Sequence, residues 1–502
     1  MARSGIAGAG TRAFLIALAV TGAAGACWPE SLLAPLAATV RGSRDPARLV
    51  ESVRWTLATM GVLCALLACS WPRVCRAATG AADGLERASP TRFWMGLTVC
   101  AAAPRLMLAA TMSYPLHTDS LWYHRTALSL QAGTGFAIDG HPTAYRFPGY
   151  PLLLACGYRL FGPGPEAVWL WGIASTAVIL AAMYPIARSL YGERTARLAT
   201  LLAAFYPAFV LYTGSALSDL PFTAGTLAWV WAVLRSSPGR ILPAATAGIG
   251  AGLLSYVRGP GMVLAVLTPL LWRLRGRSWR AVLAPTAVLA ATTALTVAPW
   301  VLRNHACFGI PTLATNVGVN LYIGNGPGGG LDVDYDARPD IGTGGRPINE
   351  AERSRLYARA TRQWVRDHPA AALRALAVKP VQLYLLETSA VTAWFQGPTP
   401  PPAPAKAALY AVNQIAYWAV MALLGFRLVR AVRRQTRPHG VQWTGYMAAM
   451  VFTALCLVFF GSDRFRLPIM PWILIEAAVV LAGTSPSTRT SGTPGSGLPG
   501  EG

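Results

Sequence analysis

Long apolar blocks recur along the whole chain, and no other feature of the sequence constrains the fold as strongly. Most blocks have the length that a helix needs to cross about 30 Å of hydrocarbon. Only 13% of the residues are charged, against about 25% in soluble domains, so a soluble enzyme with a single anchor is excluded. We predict an all-α polytopic membrane protein. Its spanning helices, about twelve in number, are predicted near residues 13–28, 51–71, 93–113, 167–187, 197–213, 220–234, 241–257, 260–273, 281–301, 406–426, 443–460 and 467–484.

Arginine carries almost all of the formal net charge of +22, since the chain has lysine only at Lys379 and Lys406. The arginines lie between apolar blocks instead of forming a separate basic region, which argues against nucleic-acid binding. Short cytoplasmic loops of membrane proteins hold the excess of Lys and Arg. We therefore place five arginine-rich loops inside, at residues 73–92, 188–197, 235–240, 273–280 and 427–437. The alternation puts segments 114–166 and 302–405 on the outer face of the plasma membrane, where we expect the functional site.

This topology divides the chain into five regions. They are a two-span N-terminal extension (1–92), a core bundle (93–301), an outer segment with interfacial helices (302–405), C-terminal membrane helices (406–484) and a tail (485–502). The tail is rich in Gly, Pro, Ser and Thr and cannot bury a core, so we expect it to be disordered.

Two segments allow a second interpretation. Residues 13–28 follow Arg3 and Arg12 and fit a cleaved signal peptide as well as a first span; the polytopic body behind them favours an uncleaved span. Residues 378–395 are apolar enough to cross the membrane, but a span there would move the arginine-rich loop 427–437 outside. We therefore predict an interfacial amphipathic helix at 378–395.

The loop 114–166 contains the first candidate residues. Asp119 comes directly after a predicted span, and Tyr123 follows it among aromatic residues that favour the membrane surface. A carboxylate at that depth can meet a lipid head group. Asp119 can also cap a helix that starts near Ser120, and the two roles are compatible.

Two arginines, Arg146 and Arg258, allow two interpretations each. Arg146 follows Tyr145 in the stretch AYRFPGYP, whose prolines and glycine would hold it rigidly. Its planar guanidinium suits the phosphate of a bound substrate. Alternatively, it extends to the phosphates of the surrounding lipids, as any interfacial arginine does. Arg258 lies between two apolar blocks, where an arginine costs about 2.5 to 3.5 kcal/mol to insert. It either reaches an outer-leaflet phosphate or forms a structural ion pair with Asp219.

Taken together, five stretches of the sequence resemble bacterial membrane glycosyltransferases of the GT-C fold, in the branch of the protein O-mannosyltransferases and the aminoarabinose transferases of lipid A. The resemblance covers residues 93 to 480, and the stretches occur in the family order. They are the loop 114–166, YTGSALSDLPFTAGTLAW (212–229), GLLSYVRGPGMVL (252–264), APWVLRNHACFGIPTLATNVGVNLYIGNGPGGG (298–330) and GSDRFRLPIMPWILIEAA (461–478).

The resemblance implies a role for several residues. Asp119 matches the proposed catalytic base of the family, and Arg146 matches the basic residue that contacts the carrier phosphate in relatives. Asp219 matches a second outer acid, while Arg464 and Arg466 belong to a patch near the active cavity. Ser120 follows Asp119 where many members carry a second acid, so the use of a divalent metal stays open.

We therefore predict an inverting glycosyltransferase that moves a pentose or hexose from a polyprenyl-phosphate carrier to an acceptor hydroxyl at the outer face of the membrane. The acceptor can be a protein, a glycolipid or a polysaccharide, and no cofactor is expected. His117, His124 and His141 match no zinc motif, so no metal ligands are predicted. A polyprenyl-linked sugar flippase or transporter, and a catalytically idle relative that binds such lipids, are the alternatives.

Overall fold

The computed structural model describes residues 46–112, 116–237, 240–329, 338–340, 348–395, 402–433 and 440–483, with a few single residues besides. Apart from two strands of two residues each, the regular structure there is helical. In the first part of the chain the elements are α1 (Pro46–Arg87), α2 (Pro90–Thr111), α3 (Thr118–Gln131), β1 (Ala137–Ile138), β2 (His141–Pro142), α4 (Gly149–Phe161), α5 (Pro165–Tyr191), α6 (Glu193–Phe205), α7 (Pro207–Thr213), α8 (Asp219–Arg235), α9 (Ile241–Val257) and α10 (Gly261–Leu274). In the second part they are α11 (Trp279–Phe308), α12 (Val317–Asn325), α13 (Glu350–Asp367), α14 (Pro369–Tyr384), α15 (Ser389–Trp394), α16 (Ala403–Arg433), a 3₁₀ turn (Gly440–Gln442), α17 (Trp443–Val458), a 3₁₀ helix η1 (Asp463–Ile469) and α18 (Met470–Leu481).

The prediction of an all-α polytopic membrane protein is confirmed. Four helices in the described part are long and apolar enough to cross a membrane, namely α2, α5, α11 and α16. Helices α6 and α7 make a fifth candidate, bent by 54° at Tyr206. Every predicted span from 51–71 onward coincides with helix, whereas 13–28 lies outside the described ranges. The count of twelve spans stays a prediction.

The core of the bundle lies where α5, α6, α8 and α18 pack together. Small residues allow the helices to approach closely, as membrane bundles require. A Cβ on Gly172 of α5 would lie 1.8 Å from the carbonyl oxygen of Thr213, which shows how tightly α5 packs against the end of α7. Buried Arg105 of α2 joins the same contact, donating to Thr213 Oγ1 (3.0 Å) and to the carbonyl of Ala204 (2.9 Å).

The prediction of a single interfacial helix over 378–395 is wrong. Helix α14 ends at Tyr384, a connection that holds buried Glu387 follows, and α15 begins at Ser389. Ala390, Val391 and Trp394 of α15 are buried in the main core. The apolar residues at 389–395 therefore pack inside the protein. Composition alone does not distinguish a segment buried in protein from one buried in lipid.

The three regions that begin at residues 1, 302 and 406 are only partly described, and the division into five regions stays a prediction. The predicted first span and the tail from 485 lie outside the described ranges. Helices α13 and α14 occupy the part of 302–405 for which interfacial helices were predicted; His368 lies between them, and Pro369 is the first residue of α14.

Candidate active site

Asp119 is held between two arginines from distant parts of the chain. Nη2 of Arg146 donates to one carboxylate oxygen, and Nη1 of Arg464 donates to the other at 2.8 Å. The side chains of all three residues are about one-fifth exposed. A ligand can therefore reach this carboxylate and its partners.

Arg464 continues the chain of ion pairs to a second acid. Its Nε donates to Oδ2 of Asp219 at 2.7 Å, while Nη1 of Arg258 donates to Oδ1 of the same carboxylate. The Asp219 side chain is only 1% exposed. Asp119, Arg146, Asp219, Arg258 and Arg464 thus form one connected group, which we call the charge cluster.

Helix ends supply the two acids of the charge cluster. Asp119 lies in the first turn of α3 and Asp219 is the first residue of α8; carboxylates are favoured there because the helix dipole is positive at that end. Thr118, next to Asp119, has φ of +38°, a strained conformation for a residue with a Cβ. Such strain persists only where the surroundings enforce it.

Asp119 does not cap its helix, so that interpretation is wrong. The N-cap of α3 is His117, whose backbone N–H donates to Ser120 Oγ at 2.8 Å in a capping box. His117 Nε2 also lies 2.9 Å from the carbonyl oxygen of Ala393. The start of α3 is therefore fixed by other groups, and the Asp119 carboxylate is available to the arginines.

Close backbone packing brings Arg146 and Arg258 to the same place. A Cβ on Gly149 would lie 2.8 Å from backbone atoms of Tyr256, so the start of α4 rests directly on the end of α9. The ring of Phe147 packs against Gly259 in the same way. These glycines let the two arginine-bearing turns meet.

Aromatic rings line the arginines of the charge cluster. The Arg146 guanidinium carbon lies 5.7 Å from the ring centre of Tyr123 and 5.5 Å from that of Tyr145. Arg258 lies 5.3 Å from the ring of Phe465. Such contacts orient a guanidinium and stabilise its charge.

The environment keeps Asp119 ionised. Burial by itself would raise its pKa. The positive charges of Arg146 and Arg464 outweigh this effect and hold the pKa well below its usual range. Burial would likewise lower the pKa of Arg464, and Asp219 and Asp119 raise it well above the usual value. The ion pairs within the charge cluster therefore favour the charged forms of Asp119 and Arg464.

The structure places Arg466 outside the charge cluster, so its predicted contact with substrate is corrected. Its side chain is fully buried and donates to Glu387 Oε2 (2.6 Å) and to the carbonyls of Leu383 and Leu386. Its guanidinium carbon also lies 3.9 Å from the ring centre of Tyr417. A residue so enclosed joins η1 to the connection between α14 and α15 and cannot reach a lipid phosphate.

Seven of the eight predicted site residues thus meet in one place: Asp119, Tyr123, Tyr145, Arg146, Asp219, Arg258 and Arg464. Tyr123 contacts the group through its ring, 5.7 Å from the guanidinium carbon of Arg146, and its hydroxyl lies 3.3 Å from Oγ of Ser218, the residue before Asp219. The structural ion pair between Arg258 and Asp219 exists, and Arg258 keeps 17% exposure of its side chain. Arg258 can therefore pair with Asp219 and also contact a ligand.

Sequence analysis missed Tyr212. Its hydroxyl is buried, and among the described residues it has no hydrogen-bond partner; it lies close enough to Arg464 for the two groups to interact electrostatically. Nε of Arg146 is also buried without a partner in the described part of the chain. Both are donors that an acceptor oxygen of a ligand would satisfy. Tyr212 stood in the resembling stretch 212–229, but no charge or spacing distinguished it.

Comparison with known families supports the resemblance found in the sequence. Residues 140–302 match the family model described as dolichyl-phosphate-mannose-protein mannosyltransferase. That region contains Arg146, Asp219 and Arg258, while Asp119 and Arg464 lie outside it. The resemblance to GT-C-type glycosyltransferases that use polyprenyl-phosphate sugars is thus confirmed.

A curated relative makes the likeness more specific. The chain is 27% identical over 219 residues to the undecaprenyl phosphate-alpha-4-amino-4-deoxy-L-arabinose arabinosyl transferase of Pseudomonas aeruginosa (strain LESB58). This match spans 40% of the chain and 40% of the length of the relative.

Two solved proteins are similar to the chain at low identity. ArnT from Cupriavidus metallidurans in the apo state aligns over 78% of this chain and 77% of its own, with 14% identity and a TM-score of 0.38. The archaeal oligosaccharyltransferase AglB from Archaeoglobus fulgidus, in complex with an inhibitory peptide and a dolichol-phosphate, aligns over 78% of this chain and 50% of its own, with 14% identity and a TM-score of 0.45. These superpositions are too loose to transfer residue roles.

Proposed function

We propose that this protein is a multi-pass glycosyltransferase of the plasma membrane that moves a sugar from a polyprenyl-phosphate carrier to an acceptor hydroxyl at the extracytoplasmic face. The names of the matching family and of the curated relative, one a mannosyltransferase and the other an arabinosyl transferase, support a polyprenyl-phosphate sugar as donor. The distribution of arginines between the apolar blocks supports the orientation.

The charge of the cluster is the observation that carries the proposal. Three guanidinium groups face two carboxylates, so the cluster has one excess positive charge. A sugar joined to a polyprenyl phosphate is a phosphodiester and carries one negative charge. Its phosphate would neutralise the cluster and offer acceptor oxygens to the unpartnered Nε of Arg146.

Binding of the donor also changes the pKa of Asp119 in the direction that a general base requires. The two arginines paired with Asp119 lower its pKa, which makes the carboxylate a weak proton acceptor. A phosphate that takes over the hydrogen bond of Arg146 would weaken the stabilisation that this arginine gives to the ionised carboxylate. The pKa of Asp119 then rises toward the range in which it accepts a proton from an attacking hydroxyl.

The reaction that we propose is a single displacement. The acceptor oxygen forms a bond to the anomeric carbon, the bond from that carbon to the phosphate oxygen breaks, and the proton of the acceptor hydroxyl passes to Asp119. Arg146 and Arg258 stabilise the charge that develops on the leaving phosphate. Attack from the face opposite the leaving group inverts the anomeric configuration.

Substitution of Asp119 by Asn tests the proposal. Purified protein in liposomes receives radiolabelled polyprenyl-phosphate mannose or aminoarabinose with cell-envelope acceptors, and both transfer and binding of the carrier are measured. We expect Asp119→Asn to reduce transfer about 100-fold to 10,000-fold, the contribution of a positioned base, and to retain carrier binding.

The matched control is Asp139→Asn, in the same loop. Asp139 is 77% exposed and lies 3.7 Å from Arg125, far from any buried partner, so transfer should stay at the wild-type rate. Normal transfer by Asp119→Asn would refute the assignment of the base. Movement of the labelled lipid between leaflets without any transfer would instead establish a transporter.

A further inference from the structure

Glu350 joins the stretch that ends in Arg146 to a distant part of the chain. Its Oε1 accepts a hydrogen bond from Thr143 Oγ1 (2.6 Å), and its Oε2 accepts from the backbone N–H of Ala144 (2.8 Å) and from Thr315 Oγ1 (2.8 Å). Glu350 is the first residue of α13, about 200 residues beyond the loop. One carboxylate therefore fixes the backbone two residues before Arg146.

Further hydrogen bonds hold the same stretch from other sides. The backbone N–H of Thr315 donates to the carbonyl of Ala144 at 2.9 Å, and that of Tyr145 donates to Thr143 Oγ1 at 3.2 Å. Nη1 of Arg303 donates to the carbonyl of Thr143 at 2.7 Å. With the three bonds to Glu350, the polar groups of residues 143 and 144 are fully engaged.

The first turn of α13 reaches Arg146 through a ring as well. The guanidinium carbon of Arg353 lies 5.5 Å from the ring centre of Tyr145, and that of Arg146 lies 5.5 Å from the same ring centre. Helix α13 thus sets both the backbone that carries Arg146 and the ring against which its guanidinium rests.

We infer that Glu350 is a positioning residue for the donor phosphate, acting through Arg146. This inference rests on the proposed function, since it gives Arg146 the carrier phosphate as its ligand. An arginine that must exchange Asp119 for a phosphate needs a fixed backbone, because a displacement of about 1 Å at such a site can cost 100-fold in rate. The segment 302–405 is accordingly part of the donor site.

A double-mutant cycle separates positioning from general structural support. The measured quantity is the Kd of the detergent-purified full chain for polyprenyl phosphate without sugar, for the wild type, Glu350→Gln, Arg146→Gln and the double variant. The amide of Gln places an NH₂ group against donors that the carboxylate accepts. We expect Glu350→Gln to raise Kd about tenfold in the wild-type background and less than about twofold when Arg146 is absent, since residues that act together are not additive.

Two further variants guard against a folding defect. Thr143→Val removes the hydrogen bond from Thr143 Oγ1 to Glu350 and the one from the Tyr145 N–H to Thr143 Oγ1 at nearly constant volume; it should raise Kd about threefold in protein that still unfolds cooperatively. Asp367→Asn removes an acid from the exposed far end of the same helix and should leave Kd unchanged.

The outcomes distinguish the two proposals. An unchanged Kd in both Glu350→Gln and Thr143→Val, or an equal rise of Kd in the two backgrounds, would overturn the role of Glu350. If Arg146→Gln binds polyprenyl phosphate as the wild type does, the phosphate contact of Arg146 in the proposed function fails instead.

Discussion

Arg464 gives the sharpest prediction about stability, because it connects the two acids of the charge cluster. In Arg464→Gln, Asp119 keeps Arg146 and Asp219 keeps Arg258, but each carboxylate loses one partner. The lost contacts are 2.8 Å and 2.7 Å long. Glutamine is uncharged and shorter than arginine, ending near the position of Nε, so the change removes the charge and the hydrogen bond from Nη1 to Asp119.

The expected cost follows from burial. Removing one partner of a fully buried pair typically costs about 3 to 5 kcal/mol. The Arg464 side chain is 19% exposed, and water screens part of its charge, so we expect about 2 to 3 kcal/mol. For a chain of 502 residues this corresponds to a fall in Tm of about 2 to 3 °C.

The assay is thermal unfolding of the purified protein in detergent, followed by tryptophan fluorescence between pH 7 and about pH 2. Because the pKa of Asp119 is lowered in the folded state, its stabilisation is present above its unfolded pKa of about 3.9 and is lost as the pH falls through the folded value. The difference in Tm between wild type and Arg464→Gln should therefore stay constant from pH 7 to about pH 4 and shrink as the pH falls further.

Arg125→Gln is the matched control. Arg125 pairs with exposed Asp139 at 3.7 Å, and such a surface pair contributes about 0 to 1 kcal/mol. An unfolding midpoint of Arg464→Gln within the range of this control, or a difference that does not depend on pH, would refute the electrostatic reasoning.

Two other predictions concern buried groups outside the charge cluster. Burial lowers the pKa of Lys379 to about 8, and its Nζ donates to Asn325 Oδ1 (2.6 Å) and the carbonyl of Leu457 (2.8 Å). Since the unfolded chain keeps this proton up to about pH 10.4, the contribution of Lys379 to stability should rise from pH 8 to 10. The Tm of the wild type should therefore increase over this range relative to that of Lys379→Met, but not relative to that of Lys406→Met, in which an exposed lysine is replaced. Arg466→Met removes the ion-pair partner of buried Glu387 and should lower the free energy of unfolding by about 3 to 5 kcal/mol. The folded fraction should bind polyprenyl phosphate with the wild-type Kd. Weaker binding by that fraction would show that Arg466 contributes to the binding site.

Much of the site could be found from the sequence because each residue stood out locally. Asp119 comes shortly after one apolar block, and Arg258 lies between two others. A charged side chain is costly at such positions unless it has a partner or a function. Arg146 stands in a stretch stiffened by two prolines. What the local pattern left open was the partner of each, and the structure pairs Asp219 with both Arg258 and Arg464.

The residues that sequence analysis missed or misplaced have no such local mark. Arg464 and Arg466 are two positions apart in R-F-R, and a 3₁₀ helix turns about 120° per residue, so the two side chains leave η1 in different directions. One joins the charge cluster and the other is buried against Glu387. Glu350 lies at an ordinary helix start, and its importance arises only from contact with residues about 200 positions earlier.

The sequence by itself determined that this chain is a helical membrane protein with its candidate acids and arginines beside the ends of apolar blocks, because hydrophobic length and the cost of burying charge act residue by residue. Only the tertiary structure decided which arginine meets which acid, that 389–395 packs inside the bundle and that α13 supports Arg146. Those outcomes depend on contacts between segments that are distant along the chain, and the energy of such contacts is set by where the backbone brings them together.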